Sequence, residues 1–221
     1  MTESIAFLSQ TRPNCELSAC GLTLNISRQR LTRDQYENLL QKAKDCGLID
    51  KQRQMVDGEV VNASEKRQAL HTSLRSEDIN SPHYEEVNQT RERMYALARA
   101  VREGQWLGAS GKKITDVINI GIGGSEMGPH AVYHALRDVN PSIRIHFLSA
   151  VDGILADRIL GVLDPETTLT VVSSKSFSTR ETMLNAELVN EWYAKAGIVG
   201  KEKRAKHVFL VSAKENACEL M

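Results

Sequence analysis

Four short runs of apolar residues in the second half of the chain most strongly constrain its fold. They occupy residues 117–122, 143–149, 168–173 and 207–212. Each run is rich in Val, Ile or Leu and none alternates cleanly with polar residues, which is typical of strands buried on both faces. Helix-like segments separate the runs, at residues 129–138, 153–163 and 180–196. This alternation predicts an α/β fold with a doubly wound parallel sheet.

The first half of the chain has a helical pattern instead. Apolar residues recur at helical spacing through residues 36–43, and Gly47 stands where that helix would end. A longer helix is predicted to begin at Ser81 as N-cap and to end at Gly104. A shorter helix through residues 70–74 is expected between them. The sequence therefore predicts a mainly helical segment before the α/β domain.

The loop at residues 105–113 is rich in glycine and serine, which favours a domain boundary there. We therefore divide the chain into a helical segment, residues 1–110, and an α/β domain, residues 111–221. Nine residues follow the fourth predicted strand, and they end on the apolar pair Leu220 and Met221. A parallel sheet needs a covering helix at that point, so we expect the α/β domain to be truncated.

Charge and composition argue against several kinds of partner. Lys and Arg total 28, as do Asp and Glu, so the chain has no basic footprint for nucleic acid or an anionic membrane. No run approaches the roughly 20 apolar residues of a membrane span, and the first residues do not resemble a signal peptide. We therefore expect a cytoplasmic protein with free thiols. The cysteines show no metal-ligand spacing and are Cys15, Cys20, Cys46 and Cys218.

A glycine-rich loop, residues 121–125, follows the first predicted strand and leads into a helix. Glycines allow close approach of backbone to a ligand, and a helix N-terminus attracts phosphate. The dinucleotide pattern fails because Glu126 stands at its third glycine position, and the P-loop pattern fails because no lysine precedes Ser125. The loop alone is equally compatible with a tight turn that binds nothing.

A second polar loop, residues 174–179, follows the third predicted strand and contains four hydroxyl groups and one ammonium group. Such side chains suit the oxygens of a phosphate. Residues 178–181 also fit a capping box, which would account for one hydroxyl but not for the whole set. In a flavodoxin-like strand order of 2-1-3-4, both loops would flank the topological switch point, where open α/β sheets bind ligands.

Four segments then resemble the glucose-6-phosphate isomerase (phosphoglucose isomerase) family, whose members contain sugar-isomerase (SIS) domains. Residues 58–75 resemble its N-terminal motif and residues 116–129 its glycine loop. Residues 151–153 match its turn after the second strand, and residues 174–185 resemble its signature. The segments follow the family's order and spacing across most of the chain, so the chain looks like the N-terminal portion of such a protein, including the first SIS domain.

The resemblance implies a set of phosphate ligands: Gly124, Ser125, Ser174, Lys175, Ser176 and Thr179. Ser176 and Ser178 stand where threonine is usual, which keeps the hydroxyl groups but changes their fit. Arg180 stands where the family usually has a neutral residue, and both attraction for the phosphate and plain solvent exposure remain open.

The resemblance also implies interconversion of glucose 6-phosphate and fructose 6-phosphate through an enediol, which needs a general base. The family's base is a glutamate, helped by a histidine, a lysine and an arginine, and we expect all four beyond residue 221. We therefore expect no catalytic residue in this chain, no turnover from it alone, and no metal or organic cofactor. A homodimer is implied for the full-length protein.

Two other functions were weighed. A non-catalytic module that senses phosphosugars is an alternative, because SIS domains also occur in regulators. A nucleotide-binding domain is disfavoured by Glu126 and by Ser149 and Ala150, which stand where an acidic residue would end the second strand.

Several further residues were considered as site candidates. His130 and His134 lie at i and i+4 but supply too few ligands for a metal site, so we interpret them as surface residues. Arg67 and His71 fit packing, subunit contact or an active-site role. Three aromatic residues are interpreted as packing residues, since no basic stripe accompanies them: Trp106, Trp192 and Tyr193.

Overall fold

The computed structural model describes residues 16–136, 143–214 and 216–217. The chain divides into two compact units after Thr90, within a helix, and each unit is described by itself. The domain boundary expected after residue 110 stays a prediction. Within the described residues, no helix is both long enough and apolar enough to cross a membrane.

The first unit begins with a β-hairpin that the sequence analysis missed. Strands β1 (Glu16–Ala19) and β2 (Leu22–Asn25) pair antiparallel. The connecting residues Cys20 and Gly21 have φ angles of 52° and 74°, as a two-residue hairpin turn of the left-handed type requires. The strands are short and exposed, so they lack the long apolar alternation that predicts a strand.

Helices make up most of the regular structure after the hairpin. Helix α1 (Arg33–Asp45) is predicted correctly, and a capping box formed by Thr32 and Gln35 begins it. Helix α2 (Leu48–Val56) was not predicted, and its N-cap residue Gly47 has a φ of 63°. The short helix expected at residues 70–74 is only a 3-10 turn, Ser73–Arg75.

Helix α3 (Tyr84–Arg102) spans the division between the units. It begins at Tyr84, after His83, which has a φ of 60°, so the predicted start with Ser81 as N-cap is two residues too early. The helix ends before Gly104, close to the prediction, because Gly104 adopts a φ of 72° that favours glycine.

The second unit is the predicted doubly wound parallel sheet. Its strands are β3 (Asp116–Ile120), β4 (Arg144–Leu148), β5 (Thr168–Ser173) and β6 (Val208–Val211). Its helices after α3 are α4 (Gly124–Leu136), α5 (Gly153–Leu160), α6 (Arg180–Lys195) and the single turn α7 (Lys201–Arg204). The strand order is β4-β3-β5-β6, with β3 between β4 and β5. This confirms the predicted flavodoxin-like order 2-1-3-4.

One face of the sheet forms the dense core. Ile118, Ile120 and Val172 are fully buried and belong to one cluster with Val189 and Tyr193 of α6. The opposite face, with Val117, Val171 and Phe209, lines an apolar groove of about 530 Å³ together with the second half of α3 and with α4. Both faces of the strands are therefore apolar, which explains their lack of alternation in the sequence.

A buried polar network fastens the loop before β3 to the sheet. His207, which is fully buried, donates from Nδ1 to the Thr168 carbonyl at 2.7 Å and accepts at Nε2 from the Ala109 N–H at 2.9 Å. The Tyr193 hydroxyl donates to the same carbonyl, and burial raises the pKa of Tyr193 above its usual range. These partners assign His207 as the neutral Nδ1–H tautomer.

A charged cluster closes the amino-terminal edge of the sheet, opposite the edge where the polar loops lie. The Asp116 carboxylate is buried and accepts two hydrogen bonds from Arg144, both at 2.8 Å, one from Thr115 at 2.8 Å and one from His146 at 2.9 Å. Burial raises the pKa of a carboxyl group, but these hydrogen bonds outweigh it in sum and hold the pKa of Asp116 at about 2, below its usual 3.8.

Replacing Asp116 by Asn is expected to destabilise the second unit by about 1–3 kcal/mol at pH 7, because donors that pointed at a carboxylate lose their charged acceptor. Since the folded pKa is depressed, the carboxylate's contribution is present above about pH 4 and is lost as the pH falls towards 2. Urea unfolding of wild type and Asp116→Asn at pH 7, 4 and 3 measures this difference. It should shrink on acidification, and Asp157→Asn, at an exposed carboxylate of α5, should cost little at any pH.

Candidate functional site

The glycine loop connects β3 to α4 and is held tightly against the helix that it opens. A Cβ placed on Gly121 would lie 2.9 Å from both the Cβ and the carbonyl oxygen of Ser125, so only glycine fits there. Gly123 has a φ of 60°, which also favours glycine. Gly124 and Ser125 form the first turn of α4, where peptide N–H groups and the positive end of the helix dipole attract an anion.

Asn119 fixes this loop from the strand side. Its side chain is largely buried within β3 and donates from Nδ2 to the Ser125 carbonyl at 3.2 Å. The sequence analysis did not single out Asn119. The available signal was an amide side chain inside an otherwise apolar strand, two residues before the loop.

The hydroxyl-rich loop connects β5 to α6, and a buried aromatic ring organises it. Phe177 is only 4 % exposed and has a φ of 51°, an uncommon conformation for a bulky residue. Its neighbours Ser176 and Ser178 are exposed, and their hydroxyl oxygens lie 2.7 Å apart. The ring thus anchors the loop to the core while the hydroxyl groups on both sides stay at the surface.

The predicted capping box in this loop is wrong. Helix α6 begins at Arg180 with Thr179 as its N-cap residue, and no side chain caps it. The hydroxyl of Ser178 instead pairs with that of Ser176. Capping therefore accounts for neither Ser178 nor Thr179.

Ser174 is the most unusual residue of the loop. It is 4 % exposed, its N–H donates to the Val211 carbonyl at 2.9 Å, and its Oγ has no hydrogen-bond partner. A buried hydroxyl without a partner costs on the order of 1–3 kcal/mol, so such groups are rare in folded proteins. An oxygen or nitrogen atom supplied by a ligand would satisfy it.

Strand pairing brings the two loops to the same edge of the sheet. Ile120, the last residue of β3, is the partner of Val172 in β5, and the two strands run parallel. Adjacent strands lie roughly 4.8 Å apart, so the loops begin side by side. They flank the point where the strand order reverses between β3 and β5, as the sequence predicted.

The loop after β6 supports the same edge, and the sequence analysis missed it. The Ser212 hydroxyl donates to the Lys175 carbonyl at 3.2 Å, and the Ala213 N–H donates to that carbonyl at 3.1 Å. Lys175 itself is exposed, which leaves its side chain at the surface beside Ser176. No spacing rule relates residues 212–213 to residue 175, because only the pairing of β5 with β6 brings them together.

A third connection runs from α6 to the loop after β4. Asn185 is buried, and its Nδ2 atom lies within hydrogen-bond distance of the Leu148, Ser149 and Ala150 carbonyls, at 3.4, 3.4 and 3.2 Å. Asp152 then caps α5 through the Ile154 and Leu155 N–H groups. The turn after β4 is thereby held at the edge that carries the two polar loops.

The remaining candidates are placed as follows. Arg67 and His71 are exposed in the first unit, and their roles stay open. Arg180 is exposed at the start of α6. The aromatic residues fit packing: Tyr193 is fully buried and packs on Trp192, and Trp106 contacts Phe209.

The fold and these loops define a class of protein: a flavodoxin-like α/β domain with polar loops at the switch point of its sheet. The sequence model of phosphoglucose isomerase matches residues 25–221, and the chain therefore belongs to the phosphoglucose isomerase family.

Individual relatives agree with this assignment. Glucose-6-phosphate isomerase of Burkholderia lata is 44 % identical over 194 residues, 87 % of this chain. That of Paraburkholderia xenovorans is 43 % identical over 194 residues. The chain spans 36 % of the length of each of these relatives. The crystal structure of a glucose-6-phosphate isomerase from Chlamydia trachomatis matches with a TM-score of 0.66 at 28 % identity, covering 95 % of this chain and 44 % of that one.

Adding a methyl group at Gly121 should impair the site. We expect Gly121→Ala to weaken binding of fructose 6-phosphate by about tenfold or more, because the new Cβ would displace Ser125, whose first-turn position the anion would use. Chemical-shift titration of the labelled chain measures the affinity.

Gly128→Ala is the matched control for this substitution. Gly128 lies on α4, and a Cβ added there would meet no atom within 4 Å other than chain neighbours and the helix's own backbone, so Gly128→Ala should bind with unchanged affinity. Equal affinities for Gly121→Ala and wild type would show that the geometry of the glycine loop is irrelevant to binding.

Proposed function

We propose that this chain binds the phosphate group of a sugar phosphate, and that the protein to which it contributes interconverts glucose 6-phosphate and fructose 6-phosphate. The observation that carries the proposal is the buried, unpartnered hydroxyl of Ser174, in a loop beside the glycine loop at the sheet's switch point. Membership of the phosphoglucose isomerase family supports the choice of substrate. We propose Gly124, Ser125, Ser174, Lys175, Ser176 and Thr179 as the phosphate ligands.

The chemistry of these groups suits a phosphate monoester. Serine and threonine hydroxyl groups donate to phosphate oxygens, and a lysine adds a point charge. Helices α4 and α6 both begin at this edge, so two helix dipoles favour an anion. Lys175 and Arg180, both exposed, add positive charge near the start of α6.

Glu126 argues for a single phosphate rather than a dinucleotide. Its N–H donates to the Gly123 carbonyl, which places it in the first turn of α4 directly after Ser125. A carboxylate at that position repels a second phosphate group, whereas dinucleotide-binding loops have glycine there. Sugar monophosphates are therefore favoured over NAD-like ligands.

The isomerisation itself needs a general base that moves a proton between C1 and C2. The family resemblance predicts that a glutamate beyond residue 221 supplies it, and we propose no residue of this chain for that role. The resemblance further predicts a homodimer for the full-length protein. The exposed thiols Cys20 and Cys46 fit a reducing compartment, so we propose a cytoplasmic location.

A heteronuclear NMR titration of the chain with fructose 6-phosphate, with NAD as the comparison ligand, tests the binding proposal. We expect saturable shifts confined to residues 123–125 and 174–179 with the sugar phosphate and none with NAD. A well-dispersed spectrum without shifts in either loop would contradict the proposed ligands. A coupled assay of the isolated chain should give no turnover, and measurable isomerisation would disprove the assignment of the base to residues beyond 221.

Ser174→Ala should move stability and binding in opposite directions. Removing a buried hydroxyl that has no partner is expected to leave the free energy of unfolding unchanged or to raise it by about 1 kcal/mol. The same change should weaken binding of fructose 6-phosphate by about tenfold, since one donor to the phosphate is lost. Urea unfolding and the NMR titration measure the two effects.

Thr182→Val is the matched control for Ser174→Ala. Thr182 is 1 % exposed and its hydroxyl also has no partner, but it lies within α6 rather than in the loop. The control should be at least as stable as wild type and bind with unchanged affinity. If Ser174→Ala loses stability and keeps its affinity, the hydroxyl is structural and Ser174 is not a phosphate ligand.

A further inference from the structure

A pair of histidines on α4 lies apart from the polar loops. His130 and His134 are exposed on the second half of the helix, and their Nε2 atoms lie 3.1 Å apart. Residues at i and i+4 share one face of a helix, which brings the two rings together. The sequence shows only the spacing of the two histidines, whereas the structure shows that their ring nitrogens lie close together.

Aromatic neighbours restrict both rings. His130 packs edge-on against Phe147 of β4, with ring centroids 4.7 Å apart, and His134 lies against Tyr133 at 5.4 Å. Rings that are already restricted lose less conformational entropy when they bind a ligand than freely rotating ones. Convergence in the folded state is what a chelating pair requires.

The separation of the two nitrogens is also compatible with a metal ion bound between them. Two metal–nitrogen bonds of about 2.05 Å that span 3.1 Å enclose an angle of roughly 100° at the metal. That angle lies between the square-planar value of about 90° and the tetrahedral value of about 109°. We propose that His130 and His134 form a chelating site for a divalent transition-metal ion of the Ni²⁺, Cu²⁺ and Zn²⁺ group.

The chemistry of the pair sets the kind of binding to expect. Imidazole nitrogen suits Zn²⁺, Cu²⁺ and Ni²⁺, whereas Mg²⁺ prefers oxygen ligands. In the parts of the chain that the structure describes, no group of three or more His, Cys, Asp or Glu residues is placed to hold a metal. Two imidazole nitrogens leave further coordination positions on the ion, which water or another ligand can fill.

Calorimetric titration of the 221-residue chain with NiCl₂ tests the site directly. The titration uses a background in which all four cysteines are replaced by serine, because exposed thiols such as Cys20 and Cys46 also bind these metals. We expect saturable binding with a stoichiometry of about one ion per chain, and none with MgCl₂.

Variants of each histidine decide whether the pair is the site. His130→Gln and His134→Gln should each weaken Ni²⁺ binding by about tenfold or more. Loss of a group that only supports a metal ligand already costs about that much, and here a ligand itself is lost. Both residues are exposed, so these variants are expected to fold as wild type does, which circular dichroism checks.

His83→Gln is the matched control. His83 is an exposed histidine directly before α3, and its ring pairs with the carboxylate of Glu86. It should leave the Ni²⁺ affinity unchanged. Absence of Ni²⁺ binding at millimolar metal, or equal affinity in wild type and either pair variant, would overturn the proposal. Loss of affinity only in His83→Gln would do the same by placing the site elsewhere.

Discussion

Strands β3 and β5 pair in parallel, with Asp116 opposite Thr168 and Ile120 opposite Val172, and the second unit is organised around this pairing. Because both strands end level with each other, the glycine loop and the hydroxyl-rich loop leave the sheet side by side. The two loops, about 50 positions apart in sequence, thereby begin at neighbouring positions of one sheet edge. A shift of one residue in this register would turn Ile118 and Ile120 out of the core, so packing on α6 protects the geometry of the site.

Side-chain hydrogen bonds extend this order from the sheet into the loops. Asn119 holds the Ser125 carbonyl, Asn185 holds the turn after β4, and Ser212 holds the Lys175 carbonyl. The first two bonds are donated by residues of β3 and α6, and the third by Ser212 of the loop after β6. Hydrogen bonds of this kind restrict loops before a ligand arrives, which lowers the entropy cost of binding.

Much of the second unit was predictable because its signals are local. Buried strands give apolar runs, and Gly121 and Gly123 mark a tight turn whichever ligand follows. The supporting contacts were not predictable, since Ser212 meets Lys175 only after β5 and β6 have paired. The burial of Phe177 was not predictable either, because its neighbours in the sequence are polar. Helix α6 begins at Arg180, as the pattern predicted, but the expected side-chain cap from Ser178 is absent. The hairpin at Glu16–Asn25 escaped notice because strands of four exposed residues carry no burial pattern.

Polar groups at the two ends of the sheet differ in how far they are satisfied, and this difference supports the edge proposed for phosphate binding. At the amino-terminal edge, the buried carboxylate of Asp116 is satisfied by Arg144, His146 and Thr115, so that edge gains stability from its polar groups. At the carboxyl-terminal edge, the buried hydroxyl of Ser174 is left without a partner and Phe177 adopts an uncommon φ. Thr182 within α6 also has a buried hydroxyl without a partner, so the position of Ser174 in the loop matters for the proposal as much as its missing partner. Ser174 lies at the edge where open α/β sheets bind ligands, and this position supports the proposal that a phosphate oxygen is its partner.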